Sequence, residues 1–316
     1  ADASQVPPIL VLRLQHVADP GALQRSTQGR RFKCDLWASV WTASVVLAEL
    51  LSAPAVAREV FGLSVVEVGA GAAVCSLTAA LCGAECVVAT DGSDEAVALA
   101  EMSGKLNALG PKFAARVLDW FDADSVAAAL AAGGGLFDLL VASDVLFLGT
   151  NIDPLLQILP QLVAPGGLAV ILDPGRPCAD GFAERAREQG RHFSVSTREA
   201  FDVVVSDSAL LKRVVLHLVQ VGGAPSPKTH ALEAELLRAW SWLEKHRQDA
   251  SSQGTPEVVG ARGVPVPGRQ RQCVYKSTWG PAAAAGGRGG GGGGNISGSQ
   301  AQAAGGLDAG GGCEWQ

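Results

Sequence analysis

The sequence lacks the features that mark several large classes of protein. No apolar run among its 316 residues is long enough to cross a membrane, and no charged segment followed by an apolar stretch marks a secretory leader. The formal net charge of −6 at pH 7 argues against a general nucleic-acid-binding protein. The chain opens Ala-Asp-Ala rather than with methionine, which predicts a processed chain or a fragment. We therefore expect neither a membrane protein nor a nucleic-acid-binding one.

Metal-ligand and disulfide patterns are also missing. The five histidines have no ligand spacing, and the cysteines include no C-x-x-C pair. The cysteines are odd in number, and several lie in apolar segments; they stand at positions 34, 75, 82, 86, 178, 273 and 313. Reduced, buried thiols in a reducing compartment fit this pattern better than a disulfide framework or a zinc site. We predict no structural metal, a cytoplasmic or nuclear location, and a monomer.

A glycine turn between an apolar run and a helical pattern is the main positive signal. Residues 65–68 are predominantly apolar and lead into Gly69-Ala70-Gly71, after which Val74, Leu77 and Leu81 recur at helical spacing. Glycine lets a backbone turn sharply and approach a ligand closely, because it has no Cβ. The start of a helix presents free N–H groups and a positive dipole. The pattern predicts a nucleotide-binding turn, although tight strand-to-helix turns also use glycine for structural reasons alone.

Segments of strand and helix character alternate along the chain up to about residue 222. The predicted strands are 9–17, 65–68, 84–90, 113–118, 137–143, 168–172, 192–196 and 213–221. The predicted helices are 36–51, 74–81, one capped by Ser93, 125–132, 154–163, 182–189 and 231–246. Such alternation predicts an α/β, Rossmann-like fold with a mostly parallel sheet and helices on both faces. The last two strands have only a short connection, which favours an antiparallel edge.

The composition predicts four regions along the chain. Residues 1–35 hold a strand and a basic loop, and residues 36–222 hold the α/β domain. Residues 223–248 hold an amphipathic helix whose stripe of Leu232, Leu236 and Trp240 can dock onto that domain. Residues 249–316 are rich in Ser, Pro and Gly and cannot bury enough surface to offset their ordering entropy. We expect this last region to be disordered.

A polar residue closes nearly every strand of the predicted sheet: Glu67, Asp91, Asp119, Ser143 with Asp144, and Asp173. Ligands of open α/β sheets bind outside the carboxyl ends of the strands. Asp91 can accept hydrogen bonds from two vicinal ribose hydroxyls, and Asp119 or the neighbouring backbone can contact an adenine edge. Trp120 offers that ring a flat apolar face. Glu67 either holds the turn or meets the polar end of the ligand.

A dinucleotide would satisfy the same features, so an NAD-dependent oxidoreductase is the first alternative. However, Val74 stands where G-x-G-x-x-G has its third glycine, and no Tyr-x-x-x-Lys is present. A P-loop is excluded because no G-K-[ST] follows the turn. The oxidoreductase is therefore the less favoured interpretation.

The sequence resembles the seven-β-strand, S-adenosylmethionine-dependent protein methyltransferases, specifically the methyltransferase-like family 16 group. Four segments match that group in order: Val40-Trp41-Thr42-Ala43 with Val46-Leu47-Ala48; Val66-Glu67-Val68-Gly69-Ala70-Gly71; Leu118-Asp119-Trp120; and Ser143-Asp144-Val145-Leu146-Phe147. Together they cover roughly residues 36–222. The resemblance implies a seven-stranded sheet, S-adenosylmethionine as the cofactor and a protein substrate, methylated on lysine first and arginine second. It also implies a cofactor site lined by Trp41, Gly69, Ala70, Gly71, Asp91, Trp120 and Ser143.

The resemblance further implies that the segment from Asp144 to Phe147 faces the substrate nitrogen. Asp144 would orient the amine or relay its proton, and Phe147 would hold the alkyl-ammonium by a cation–π contact. Two residues depart from the usual pattern: Ala73 replaces a glycine and is expected to crowd the methionine part of the cofactor, and Phe147 replaces the commoner tyrosine. A catalytically degenerate binding module is therefore the second alternative. The segment from Asp173 to Arg176 resembles part of some lysine-modifying relatives, or is a plain turn.

Overall fold

In the computed structural model of the chain, the described residues are 11–17, 35–190, 192–206, 209–250 and 270–276. The strands among them are β1 (Val11–Val17), β2 (Ser64–Val68), β3 (Cys86–Asp91), β4 (Phe113–Val117), β5 (Phe137–Ser143), β6 (Val163–Asp173), β7 (Phe193–Ser206), β8 (Ala209–Val221) and β9 (Gln270–Lys276). The α-helices are α1 (Thr42–Ser52), α2 (Pro54–Val60), α3 (Val74–Leu81), α4 (Asp94–Leu106), α5 (Ala123–Gly133), α6 (Ile152–Leu162), α7 (Phe182–Glu188) and α8 (Pro227–Ala250).

The main sheet has seven strands in the order β4-β3-β2-β5-β6-β8-β7. The five strands from β4 to β6 are parallel, whereas β8 is antiparallel to β6 and β7 is antiparallel to β8. This confirms the predicted fold class, including the antiparallel edge. The chain moves outward in one direction from β2 to β4 and in the other from β5 to β6, and β8 then returns between β6 and the edge strand β7. The switch point between β2 and β5 is where an open α/β sheet forms its ligand crevice.

Both faces of the sheet are buried, as the near-continuous apolar character of its central strands requires. Successive residues of a strand point to opposite faces, so Val65 and Val66 belong to two different hydrophobic clusters. The Val65 cluster packs against α1, α2, α3 and α8. The Val66 cluster contains Phe137 and Phe182 and packs against α5, α6 and α7. A rigid layered scaffold therefore carries the strand ends.

Helix α8 is part of the packed domain. The stripe predicted from the sequence, Leu232, Leu236 and Trp240, is fully buried in the same cluster as Val65. The hydroxyl of Ser226 accepts a hydrogen bond from the N–H of Thr229 at 3.2 Å and so caps the helix start. No helix within the described residues is long and apolar enough to span a membrane.

Two elements were not expected from the sequence. Helix α2 begins at Pro54 directly after α1, because proline is favourable in the first turn of a helix even though it ends the preceding one. Strand β9 lies within the region expected to be disordered and pairs antiparallel with β1, from Val11 opposite Lys276 to Val17 opposite Gln270. The predicted basic loop between residues 18 and 34, and residues 251–269 and 277–316, lie outside the described part of the chain.

Candidate active site

The glycine turn after β2 has the backbone geometry that the sequence predicts. Gly69 and Gly71 both have positive φ, +65° and +49°, a region that side chains with a Cβ rarely adopt. A Cβ at Gly69 would lie 2.7 Å from Cγ1 of Val145, a distance that no packed carbon tolerates. The turn is therefore restricted to glycine at this position by both conformation and space.

Asp91, at the end of β3, fixes the turn to the next loop. Its Oδ2 accepts a hydrogen bond from the N–H of Gly71 at 2.9 Å, and its Oδ1 accepts one from the N–H of Ser93 at 3.0 Å. Burial raises the pKa of this carboxyl group, and these backbone bonds partly offset that increase. Each carboxylate oxygen can accept a second hydrogen bond. Asp91 can therefore receive two hydroxyl groups from the cleft while it holds the turn.

Glu67 lies beneath the turn rather than in the cleft. Its Oε2 accepts hydrogen bonds from both the N–H and the hydroxyl of Ser76 in α3, and the side chain is buried. Burial raises the pKa of Glu67 to about 7. Of the two roles considered for Glu67, this position supports holding the turn. Its assignment as a cofactor contact is corrected here, because the sequence shows a carboxylate beside the glycines but does not show which way it points.

A cleft of about 540 Å³ opens at the carboxyl ends of β2, β3 and β5. This volume is in the usual range for small-molecule sites. The other residues predicted for the site all line it: Trp41, Gly69, Ala70, Gly71, Asp91, Asp119, Trp120, Ser143, Asp144 and Phe147. Residues that the sequence analysis did not assign also line it, among them Trp37, Phe121 and Asn151. The amide of Asn151 donates to the carbonyl of Val145 at 2.9 Å and fixes the loop after β5.

Two tryptophans form walls of the cleft. The indole N–H of Trp41 donates to the carbonyl of Leu36 at 2.7 Å, which holds the ring at the start of α1. Trp120 is half-buried and packs against the Val66 cluster. Between β4 and α5, the carboxylate of Asp119 accepts the N–H of Phe121 at 3.0 Å and is exposed at the rim. Two aromatic walls and a carboxylate at the rim suit a ligand that contains a planar ring with hydrogen-bonding edges.

Asp144 has an unusual backbone and a strong partner. Its φ is +55°, and its N–H donates to the carbonyl of Leu172 at 2.9 Å, so the residue is held in a left-handed conformation. Its carboxylate forms a bidentate ion pair with Arg176, with Nε to Oδ1 at 2.8 Å and Nη2 to Oδ2 at 2.9 Å. Arg176 thereby extends the site, and the segment from Asp173 to Arg176 is more than a plain turn. Phe147 lies half-exposed at the same end of the cleft.

Ala73 does not crowd the cleft. It adopts φ +58° immediately before α3, but its methyl group is fully buried in the Val65 cluster and is not among the cleft-lining groups. The expected crowding of the cofactor by Ala73 is therefore not seen. The effect of Ala73 is instead a strained backbone, because a left-handed conformation is unfavourable for a residue with a Cβ.

The seven-stranded sheet, the cleft at its switch point and the acidic residue that closes β3 are the arrangement expected of an S-adenosylmethionine-dependent methyltransferase domain. Residues 29–176 match the model of the lysine methyltransferase family, which confirms the resemblance and the predicted cofactor.

Two curated relatives and one solved structure illustrate what the chain is similar to. The chain is 32% identical over 140 residues to the protein N-lysine methyltransferase METTL21A of Mus musculus, covering 42% of this chain and 59% of that protein. It is 35% identical over 153 residues to the protein N-terminal and lysine N-methyltransferase EFM7 of Eremothecium gossypii, covering 45% and 57%. The matches thus span less than two thirds of these relatives. The O-methyltransferase from Bacillus cereus in complex with SAH has a TM-score of 0.42 at 14% identity, covering 62% of this chain and 96% of that one.

Proposed function

We propose that this protein transfers a methyl group from S-adenosylmethionine to a lysine side chain of another protein, with arginine as the second candidate. The observation that carries the proposal is the Asp144 carboxylate, which already binds a cationic side chain within the cofactor cleft. The family match and the names of the two relatives support lysine as the first choice.

The residues at one end of the cleft fit an adenosyl group. Asp91 keeps acceptor capacity for vicinal hydroxyls, Trp120 offers an apolar face, and the turn Gly69-Ala70-Gly71 lines the cleft with backbone and a single methyl group. When bound, S-adenosylmethionine supplies an electrophilic methyl group on a sulfonium. Asp94 and Glu95 also line this end of the cleft, which makes it acidic. Such surroundings suit the hydroxyl and cationic groups of the cofactor.

At the other end, the chain must place and deprotonate an amine. A lysine has a reference pKa of about 10.4 and must lose a proton before its nitrogen can act as a nucleophile. Asp144 is positioned to accept a hydrogen bond from the amine and to take or relay that proton. Phe147 presents a half-exposed ring for a cation–π contact with the ammonium. Holding the nitrogen in line supplies much of what such a transfer needs.

Isothermal titration tests the cofactor site first. We expect S-adenosylmethionine to bind and NAD not to bind. Asp91→Ala should weaken binding by about tenfold or more, because it removes acceptors for the ribose and releases the turn. The exposed Glu101→Ala, on the surface of α4, is the matched control and should bind like the wild type. Binding of NAD alone would favour the oxidoreductase.

Transfer of a labelled methyl group into the proteins of a cell extract tests turnover. We expect label on lysine, located by mass spectrometry, and a loss of at least about tenfold in rate for Asp144→Ala. Cofactor binding without any transfer would favour a catalytically degenerate module. An unchanged rate for Asp144→Ala would remove Asp144 from its role.

A cytoplasmic or nuclear location and a monomeric state belong to the same proposal. Four cysteines of the described α/β domain, Cys75, Cys82, Cys86 and Cys178, are free thiols, which supports a reducing compartment. Imaging of a tagged full chain tests the location, and light scattering tests the oligomeric state.

A further inference from the structure

A second cavity, of about 250 Å³, adjoins the cleft on the far side of Arg176. It lies between the end of β6, helix α7 and the β7–β8 hairpin. Its titratable and charged lining residues are Asp173, Arg176, Asp180, Arg187, Glu199, Arg213 and His217. Arg176 lines both the cleft and this cavity, so one side chain connects the two sites.

Asp173 gives the cavity a buried acceptor without a donor. Its side chain is 1% exposed, and its Oδ1 accepts the backbone N–H of Arg176 at 2.7 Å. Its Oδ2 has no hydrogen-bond partner among the described residues. A buried unsatisfied carboxylate oxygen is costly, so a donor that entered the cavity would be stabilised there. Asp173 and Arg176 line the same cavity and their charges interact, so this carboxylate lies within reach of the Arg176 side chain.

The charges around the cavity are balanced only when the Arg176 guanidinium is counted. Arg213 forms ion pairs with Asp180 and Glu199, and Arg187 contributes a second guanidinium. Burial lowers the pKa of His217 to about 4, so its ring is neutral at pH 7. Apart from Arg176, the cavity thus faces three carboxylates and two guanidiniums. The guanidinium of Arg176 is the third and balances them.

We infer that Arg176 occupies the substrate's place at Asp144 as an internal cation, and that an incoming lysine displaces its guanidinium toward Asp173 in the second cavity. The inference rests on the proposed function, which places the substrate nitrogen at Asp144. The side chain of Asp144 is only 7% exposed, so leaving its carboxylate without a cationic partner would be costly. The exchange avoids this cost, because the carboxylate stays paired throughout. A neutral side chain cannot replace the guanidinium. Arg176 is thus a positioning residue that selects for a cationic substrate.

Nuclear magnetic resonance of the full chain tests the displacement directly, with and without S-adenosylhomocysteine. The probe is n-butylammonium, which has the chain length and charge of a lysine side chain, and n-butanol is the neutral control. The Nε–H signal of Arg176, assigned by its loss in Arg176→Lys, should move with n-butylammonium and not with n-butanol. Binding that shifts the indole signals of Trp41 or Trp120 but leaves the Arg176 signal unchanged would overturn the inference. Absence of binding to both the wild type and Arg176→Met would overturn it too.

A double-mutant cycle then tests the second cavity as the alternative position. Arg176→Met should bind n-butylammonium about fivefold more tightly, because the internal competitor is gone. Asp173→Asn keeps Oδ1 as the acceptor for the backbone N–H of Arg176 but removes the carboxylate charge, and should weaken binding about fivefold. In the Arg176→Met background the same Asp173→Asn change should have an effect below about twofold. Equal effects in both backgrounds would refute the exchange.

The binding of n-butylammonium can be measured without cofactor binding or methyl transfer, so the two proposals can fail separately. Thermal unfolding shows whether each variant is folded, and cofactor titration is recorded separately. A chain that binds no cofactor or transfers no methyl group would refute the proposed function while the n-butylammonium cycle still reports on Arg176.

Discussion

At the residue scale, the glycine turn depends on a buried carboxyl group that does not line the cleft. Glu67 holds the first turn of α3 through Ser76, while its Oε1 accepts no hydrogen bond from an N–H or O–H group of the described residues. The neutral form suits such a site, because a buried charge with incomplete hydrogen bonding is unfavourable. Protonation of Glu67 therefore links the stability of the turn to pH.

Glu67→Gln tests this link. Burial raises the pKa of Glu67 from 4.5 to about 7, so the stabilisation from the neutral form is fully present below pH 4.5 and is lost as pH rises through 7. Glutamine keeps the neutral shape at every pH. The free energy of unfolding of Glu67→Gln relative to the wild type should therefore rise between pH 5 and pH 8, by up to about 3 kcal/mol.

Chemical denaturation at several pH values provides the measurement. Glu101→Gln, a change at an exposed carboxylate of α4, controls for the change in net charge. A constant difference between Glu67→Gln and the wild type across this range would contradict the buried, protonated state of Glu67.

At the element scale, α4 connects Asp91 to the outer strand β4, and its C-terminus has a suboptimal residue. The N–H of Leu109 donates to the carbonyl of Gly104 and that of Ala108 to Lys105, which is the Schellman pattern. Ala108 occupies its left-handed position with φ +53° and is exposed. Glycine is the preferred residue there because it has no Cβ.

Ala108→Gly should raise the free energy of unfolding by about 0.5–1 kcal/mol, since it relieves the left-handed strain and uncovers no buried surface. The matched control is Ala98→Gly, an exposed position inside the same helix, which should lower it by about 1 kcal/mol. Denaturant unfolding measures both. Destabilisation of similar size by both changes would show that φ at Ala108 is not what limits the helix end.

At the scale of the whole molecule, α8 closes one face of the sheet although it follows the last strand of that sheet. It packs against α2 and α1, and Trp240 is fully buried in the Val65 cluster. Its indole N–H donates to Glu244 at 2.9 Å. The helix therefore belongs to the same core as the cofactor turn.

Trp240→Ala should lower the free energy of unfolding of the whole domain by about 3–5 kcal/mol, because it leaves a large cavity in the core. Trp242→Ala is the matched control on the same helix, where the side chain is 37% exposed, and it should cost about 1 kcal/mol or less. Fluorescence and circular dichroism should report one coincident transition in both variants. Separate transitions for α8 and the sheet would show that the helix is an independent unit.

The alternation of strands and helices, the glycine turn, and the polar residues at the strand ends all follow from the sequence alone. These features depend on near neighbours: periodicity decides which face of an element is buried, and a turn of left-handed residues needs glycine. Because parallel strands end at one edge of a sheet, residues far apart in the chain, such as Asp91 and Asp144, could be expected in one cleft.

The tertiary structure alone decided how those side chains are paired. Arg176 reaches Asp144, and Glu67 points beneath the turn toward Ser76, because neighbouring elements pack in one particular arrangement. The pairing of β9 with β1 is likewise fixed by backbone hydrogen bonds between distant segments. Local sequence patterns carry no information on such partners, since a carboxylate or an edge strand accepts whichever donor the fold brings to it.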